Sequence, residues 1–252
     1  MSEVNFQEMP DGRRIAYRYH PGQGPLLVFL PGYMSDMDGG KATSLFAEAQ
    51  EQSRACLLLD YSGCGRSSGD FADGTFTAWR EEVLALIKAR QAEDGAQEVL
   101  LVGSSMGGWL MLLVGEALGE ALIGIIGIAA APDFTQWGYS TDQCAEMAAG
   151  KTVYEDNPYG PDPTPTHPSF FADAEAQLRL TTDIPITCPV HLLHGQRDAD
   201  VPWEISLKLA QALRSDAVQV TLIKDGDHRL SRDSDIAMLK AAVASFYQGN
   251  TA

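Results

Sequence analysis

A serine set between two glycines is the most reactive-looking feature of this sequence. Residues 99–108 read Val-Leu-Leu-Val-Gly-Ser-Ser-Met-Gly-Gly, so Gly103-x-Ser105-x-Gly107 follows an apolar run and precedes another. That is the spacing of a nucleophile elbow, where a strand turns directly into a helix. So sharp a turn strains the central residue and brings the flanking positions too close for a Cβ. Ser104 does not fit the frame, because Val102 and Met106 would then stand at the glycine positions. The plainer alternative is a glycine-rich turn whose serine only caps the following helix.

A serine hydroxyl needs a base to take its proton and an acid to orient that base. His228 lies in Lys-Asp-Gly-Asp-His-Arg, between the last strand-like and the last helix-like run. Asp198 lies in His194-Gly-Gln-Arg-Asp-Ala-Asp-Val-Pro202, directly after the preceding strand-like run. Asp200, two residues on, is the alternative acid. Of the other histidines, His194 reads as a loop anchor, His191 as a strand residue, and His20 lies away from the expected position. Cys64 has no elbow around it. Charge developing on a substrate oxygen needs two N–H donors. Met106, just after the serine, supplies one, and Tyr33 in the Pro31-Gly-Tyr-Met34 turn supplies the other.

The elements that must hold these groups alternate. A hairpin around Asp11-Gly12 comes first, from Val4–Glu8 and Arg14–Tyr19. Apolar strands then follow at 26–30, 55–59, 99–103, 122–129, 189–193 and 218–223. Between and after them, helical runs cover 42–52, 76–91, 107 onward, 204–213 and 235–246. Strands apolar on both faces, separated by helices, predict an α/β fold with a mostly parallel sheet flanked by helices on both sides. Loops at the carboxyl ends of such strands converge on one edge, which lets Ser105, Asp198 and His228 meet.

Residues 133–185 interrupt this rhythm and are too long for a connection. They hold five prolines between 158 and 168, a helix-like run at 170–180, and the aromatics Trp137, Tyr139, Tyr154, Tyr159, Phe170 and Phe171. The segment reads as a cap inserted into a core formed by 1–132 and 186–252. Trp137, His167, Phe170 and Phe171, with Met34 from the turn after the first core strand, are the expected pocket lining.

Composition sets the outer limits. With 252 residues, 45% of them apolar, the chain can bury one large core. A net charge of −16 argues against nucleic acid or an anionic membrane as partner. No apolar run reaches membrane-spanning length, and no basic region followed by an apolar run opens the chain. Four scattered cysteines suit a reducing compartment and lack metal-site spacing. The expectation is a cytoplasmic protein with its oligomeric state left open. The stretch 60–69 imitates a dinucleotide-binding loop. Its third glycine would fall at Ser68, and Phe-Ala-Asp-Gly stands where a helix should open.

Taken together, the Ser…Asp…His order, Pro31-Gly32, Asp60-Tyr-Ser-Gly-Cys-Gly-Arg-Ser67 and His194-Gly-x-x-Asp198-x-x-Val-Pro202 resemble the α/β-hydrolase superfamily over almost the whole chain. Leu30–Ser35, Trp79-Arg80, Val102–Met111, Val201-Pro-Trp203 and Asp227-His-Arg229 further resemble its mitochondrial acyl-glucuronide esterase and protein-depalmitoylase type. The resemblance implies hydrolysis of a small acyl ester or thioester through an acyl-serine, without metal or cofactor. The absence of a presequence points to a bacterial relative of that type. The alternatives are carbon–carbon bond hydrolysis or acyl transfer on the same triad, and a ligand-binding protein with vestigial turnover.

Overall fold

The computed structural model describes residues 3–95, 98–158 and 160–248, so Tyr159 lies outside the described residues. Its centre is a strand that the sequence leaves no face to expose. β5 (Val99–Ser104) is buried at every position. It pairs in parallel with β3 (Gln23–Leu30) on one side and β6 (Leu122–Ile128) on the other. Val99 and Leu101 pack on one face and Leu100 and Val102 on the other, so each face needs its own helical cover. α2 (Phe76–Asp94) and α3 (Gly107–Leu118) cover the first face, and α1 (Gly40–Glu51) with α8 (Asp233–Gln248) covers the second.

Eight strands form the sheet, in the order β1-β2-β4-β3-β5-β6-β9-β10. β1 (Asn5–Glu8) and β2 (Arg14–His20) form the expected hairpin, and β2 runs antiparallel to β4 (Arg54–Leu59). From β4 through β3, β5, β6 and β9 (Val190–Gly195) to β10 (Val218–Ile223) every pairing is parallel. The chain passes from β3 to β4 in one direction and then returns to place β5 on the other side of β3. This reversal makes the β3/β5 boundary the topological switch point, where a crevice opens at the carboxyl ends. Between β9 and β10 lies α7 (Glu204–Ala212).

Residues 133–185 are more structured than a single helix-like run suggests. They hold α4 (Phe134–Trp137), α5 (Thr141–Ala148), a two-stranded ribbon of β7 (Val153–Glu155) and β8 (Thr164–Thr166), and α6 (Pro168–Glu175). α5 opens on a Ser140/Gln143 capping box, and α6 on Pro168 at its first turn. The expected helix at 170–180 is therefore displaced: it starts two residues earlier and stops at Glu175. Its end is tied down by Asp133, whose buried carboxylate accepts the Arg179 and Leu180 N–H groups at 2.8 and 2.7 Å. Those two N–H groups cannot then serve a continuing helix. Among the described residues no helix is long and apolar enough to cross a membrane.

Candidate active site

Ser105 sits where β5 turns into α3, and its φ of 54° lies in the left-handed region. A non-glycine residue held there costs about 1–3 kcal/mol, which the surrounding packing must offset. The turn is fixed by hydrogen bonds from Ser105 N to Ile128 O, at 2.9 Å, and from Ala131 N to Ser105 O, at 3.1 Å. A Cβ on Gly103 would stand 2.4 Å from the Gly107 carbonyl, and one on Gly107 would stand 2.2 Å from the Leu30 carbonyl. Both glycines are sterically required. Gly107→Ala should cost about 3 kcal/mol by overpacking, read as a lower urea midpoint at unchanged slope. It should also push the 31–34 turn off Ser105, so activity should fall further than the folded fraction does.

The three groups separated in sequence meet at the sheet edge. Ser105 Oγ–H donates to His228 Nε2 over 3.1 Å, and His228 Nδ1–H donates to Asp198 Oδ2 over 2.9 Å. Asp198 follows β9 and His228 follows β10, and the two loops are joined by Arg197 N–H to Gly226 O at 2.9 Å. From α1, Lys41 Nζ reaches the Arg229 carbonyl at 2.5 Å, bracing the histidine loop from the other side. Burial, with the nearby Arg229 charge, brings the Lys41 ammonium down to about 8.

Asp198 has a fully buried side chain. Burial alone would push its carboxyl up, but hydrogen bonds from His194, His228 and the Val201 N–H outweigh that and hold it well below the usual carboxylate range. Its Oδ1 accepts the Asp200 and Val201 N–H groups at 2.9 and 2.8 Å. The alternative acid, Asp200, is solvent-exposed, and its backbone N–H donates to Asp198 Oδ1. The ligand atoms of Asp198, Asp200 and His228 lie within 4.8 Å of one another. Both Asp198 oxygens and both His228 nitrogens are already engaged in hydrogen bonds.

Gly32 packs against the elbow: a Cβ there would be 3.4 Å from the Ser105 Cβ. Met106 directly follows Ser105, and Tyr33 directly follows Gly32 in the turn after β3. Among the described residues neither backbone N–H donates to a backbone carbonyl outside regular helix and strand bonding. The turn is held by Tyr61 Oη–H to the Pro31 carbonyl at 3.2 Å, and Met34 takes a left-handed φ of 54°. The 60–69 loop that imitates a nucleotide site is a brace. Asp60 accepts the Met37 and Arg66 N–H groups at 2.7 and 2.8 Å, and a short 3₁₀ turn at Phe71–Asp73 replaces the helix a nucleotide would need.

The expected pocket residues are divided by the fold. Trp137 lines an open groove of about 430 Å³ with Gln196, Asp198, Ala199, Asp200 and Trp203. Met34 is half exposed beside the turn. His167 is the residue before α6; its Nδ1 lies 3.2 Å from Thr152 Oγ1 and its ring meets Phe71 edge-on. Phe170 is buried among Tyr33, Phe76, Trp79 and Phe134. Phe171 packs with Met147 and Val153, in a small cluster within 133–185. The two phenylalanines are therefore core-forming and not brought to the groove, because neighbours on one helix point about 100° apart and each found an apolar partner there. Sequence reasoning missed two contacts: Tyr33 Oη–H donates to the Pro165 carbonyl at 3.1 Å, and Asp198 has a second imidazole partner in His194. Only the i, i+4 spacing of His194 and Asp198 could have signalled the latter.

The chain is similar to known proteins. A model of the "Alpha/beta hydrolase family" matches residues 27–241. The chain is 38% identical over 247 residues to "Palmitoyl-protein thioesterase ABHD10, mitochondrial" of Mus musculus, covering 95% of this chain and 80% of that protein. A crystal structure assigned as a hydrolase from Agrobacterium vitis S4 superposes with a TM-score of 0.88 at 35% identity, over 98% of both chains. The alpha/beta hydrolase domain-containing protein 10 from mouse gives 0.88 at 34%, over 98% and 99%. A serine elbow at the switch point of a mostly parallel sheet, and a likeness that runs almost end to end, agree: this chain belongs to the alpha/beta hydrolase family.

Proposed function

We propose that the chain is a serine hydrolase of carboxylic esters and thioesters working through an acyl-serine. The observation that carries this reading is the unbroken relay from Ser105 Oγ through His228 to Asp198 at 3.1 and 2.9 Å. The mouse relative's name, a palmitoyl-protein thioesterase, supports the thioester side. In the reaction Ser105 Oγ attacks the acyl carbon while His228 Nε2 takes its proton. The carbonyl oxygen becomes an oxyanion and is held by the Tyr33 and Met106 N–H groups, each contributing about 3 kcal/mol. Collapse expels the alcohol or thiol, which leaves with the proton from His228. Water, deprotonated by the same nitrogen, then attacks the acyl-serine; the acid is released as Ser105 Oγ departs and takes the proton back from His228. Asp198 keeps the Nδ1–H tautomer and stabilises the imidazolium.

The 133–185 segment is our proposed cap, fastened over the core by Tyr33 to Pro165, Trp109 Nε1–H to Gln177 O and Thr77 to Asp173. The four free cysteines fit a reducing compartment, as a cytoplasmic protein requires; the mouse relative is named as mitochondrial. Rapid quench of a slow-leaving acyl ester or thioester, followed by mass analysis, tests the mechanism. The acyl group should be found on Ser105 peptides; turnover without any acylated protein would overturn the reading.

A rate panel across acyl lengths tests the cap. If the Trp137 groove takes the acyl chain, Trp137→Ala should leave acetates nearly unchanged and lower kcat/KM for longer chains, by about fourfold for each CH₂ no longer buried. Phe170→Ala should instead lose about 4 kcal/mol of stability and slow every ester alike, since it removes a core ring.

A further inference from the structure

Besides His228, the Asp198 carboxylate has another imidazole bound to it. His194, the penultimate residue of β9, is fully buried, and its Nε2 lies 3.1 Å from Asp198 Oδ2 and 3.1 Å from the Val201 carbonyl. Both neighbours are acceptors only, so Nε2 must carry a proton. On the far side Nδ1 is 2.7 Å from Ser206 Oγ, a buried hydroxyl from α7. The result is one chain of bonds from Ser206 through His194, Asp198 and His228 to Ser105. Two N–H donors thus share a single carboxylate oxygen. Whatever electron density His194 draws from Oδ2 is withdrawn from the bond to His228.

We propose that His194 is a positioning residue, whose Nε2–H fixes the rotation of the Asp198 carboxylate and moderates how strongly it raises the basicity of His228. This rests on the triad reading above. The groups facing Asp198 are His194 from β9, His228 from the loop after β10, the Asp200 and Val201 N–H groups of its own loop, and the Asp200 carboxylate. Among the described residues, removing the His194 donor leaves His228 as the only side-chain donor on Oδ2. The imidazolium is then better stabilised, and the pH at which the base loses its proton rises.

Two substitutions separate the ends of the ring. In His194→Gln the amide reaches as far as Nε2 and can still donate to Asp198. In His194→Asn the amide ends near Nδ1, keeping the Ser206 side and losing Asp198. The acidic limb of kcat/KM against pH, measured with an activated ester, should move up by about half to one unit in the Asn variant. It should stay at the wild-type position in the Gln variant, and kcat/KM on the plateau should fall about tenfold in Asn only. A fluorophosphonate probe on the wild type is the control: absence of Ser105 labelling would overturn the triad reading and the proposal with it. Labelled wild type with coincident limbs in both variants would overturn the proposal alone, leaving His194 a packing residue.

Discussion

Ser105→Ala should abolish covalent labelling by a fluorophosphonate probe and lower kcat for any ester by about 10⁴-fold or more, while Ser104→Ala should retain both. The two serines are adjacent, yet only one occupies the turn. Ser104 closes β5 as its last residue and pairs with Ile128 in the sheet. Ser105 carries the left-handed φ and hydrogen-bonds to His228. Its removal takes away the nucleophile without disturbing Gly103 or Gly107, so the melting temperature should stay close to wild type. Residual catalysis would come from the proposed Tyr33 and Met106 donors, acting on an oxyanion formed by water attack. Wild-type labelling of the Ser105→Ala protein would remove the basis of the mechanism.

The second large effect belongs to the acid. Asp198→Asn should lower kcat by about 10⁴-fold with folding preserved. The structure says which way the new amide must point. The oxygen at Oδ1 is claimed by two backbone donors, Asp200 and Val201 N–H, so the amide NH₂ replaces Oδ2 and faces His228 Nδ1. It then donates where an acceptor is needed, drives the imidazole proton to Nε2, and leaves no lone pair to receive the Ser105 proton. The same NH₂ meets the His194 Nε2–H, a donor against a donor, which should show as a modest loss of stability. Asp200→Asn changes a solvent-exposed group and should stay within about threefold of wild type. The reverse ranking would transfer the orienting role to Asp200.

How far the sequence carried depends on the range over which each feature is encoded. The sheet strands were legible because two buried faces demand uninterrupted apolar runs. β5 and β6 show this, whereas the hairpin, with its exposed β1, was legible from its Asp11-Gly12 turn. Ser105 was legible because the elbow's sterics are written in its immediate neighbours, the glycines whose Cβ positions fall on the Gly107 and Leu30 carbonyls. Asp198 and His228 were legible because the ends of parallel strands share an edge whatever the loops between them do.

The tertiary structure alone decided what depends on which segment lies against which. Phe170 and Phe171 are neighbours in an apolar run, but one completes the core beside Trp79 and the other a cluster with Met147. The path of 133–185 rests on contacts such as Asp133 with Leu180 and Tyr33 with Pro165, which join residues 47 and 132 positions apart. His194 gains its partners only once α7 brings Ser206 against it and the 198–201 loop curls over its ring. The physical division is one of range. Backbone strain and hydrophobic period act within a few residues and can be read along the chain. Side-chain packing and shared hydrogen bonds are set by elements that approach only after the sheet has closed, so no local pattern records them.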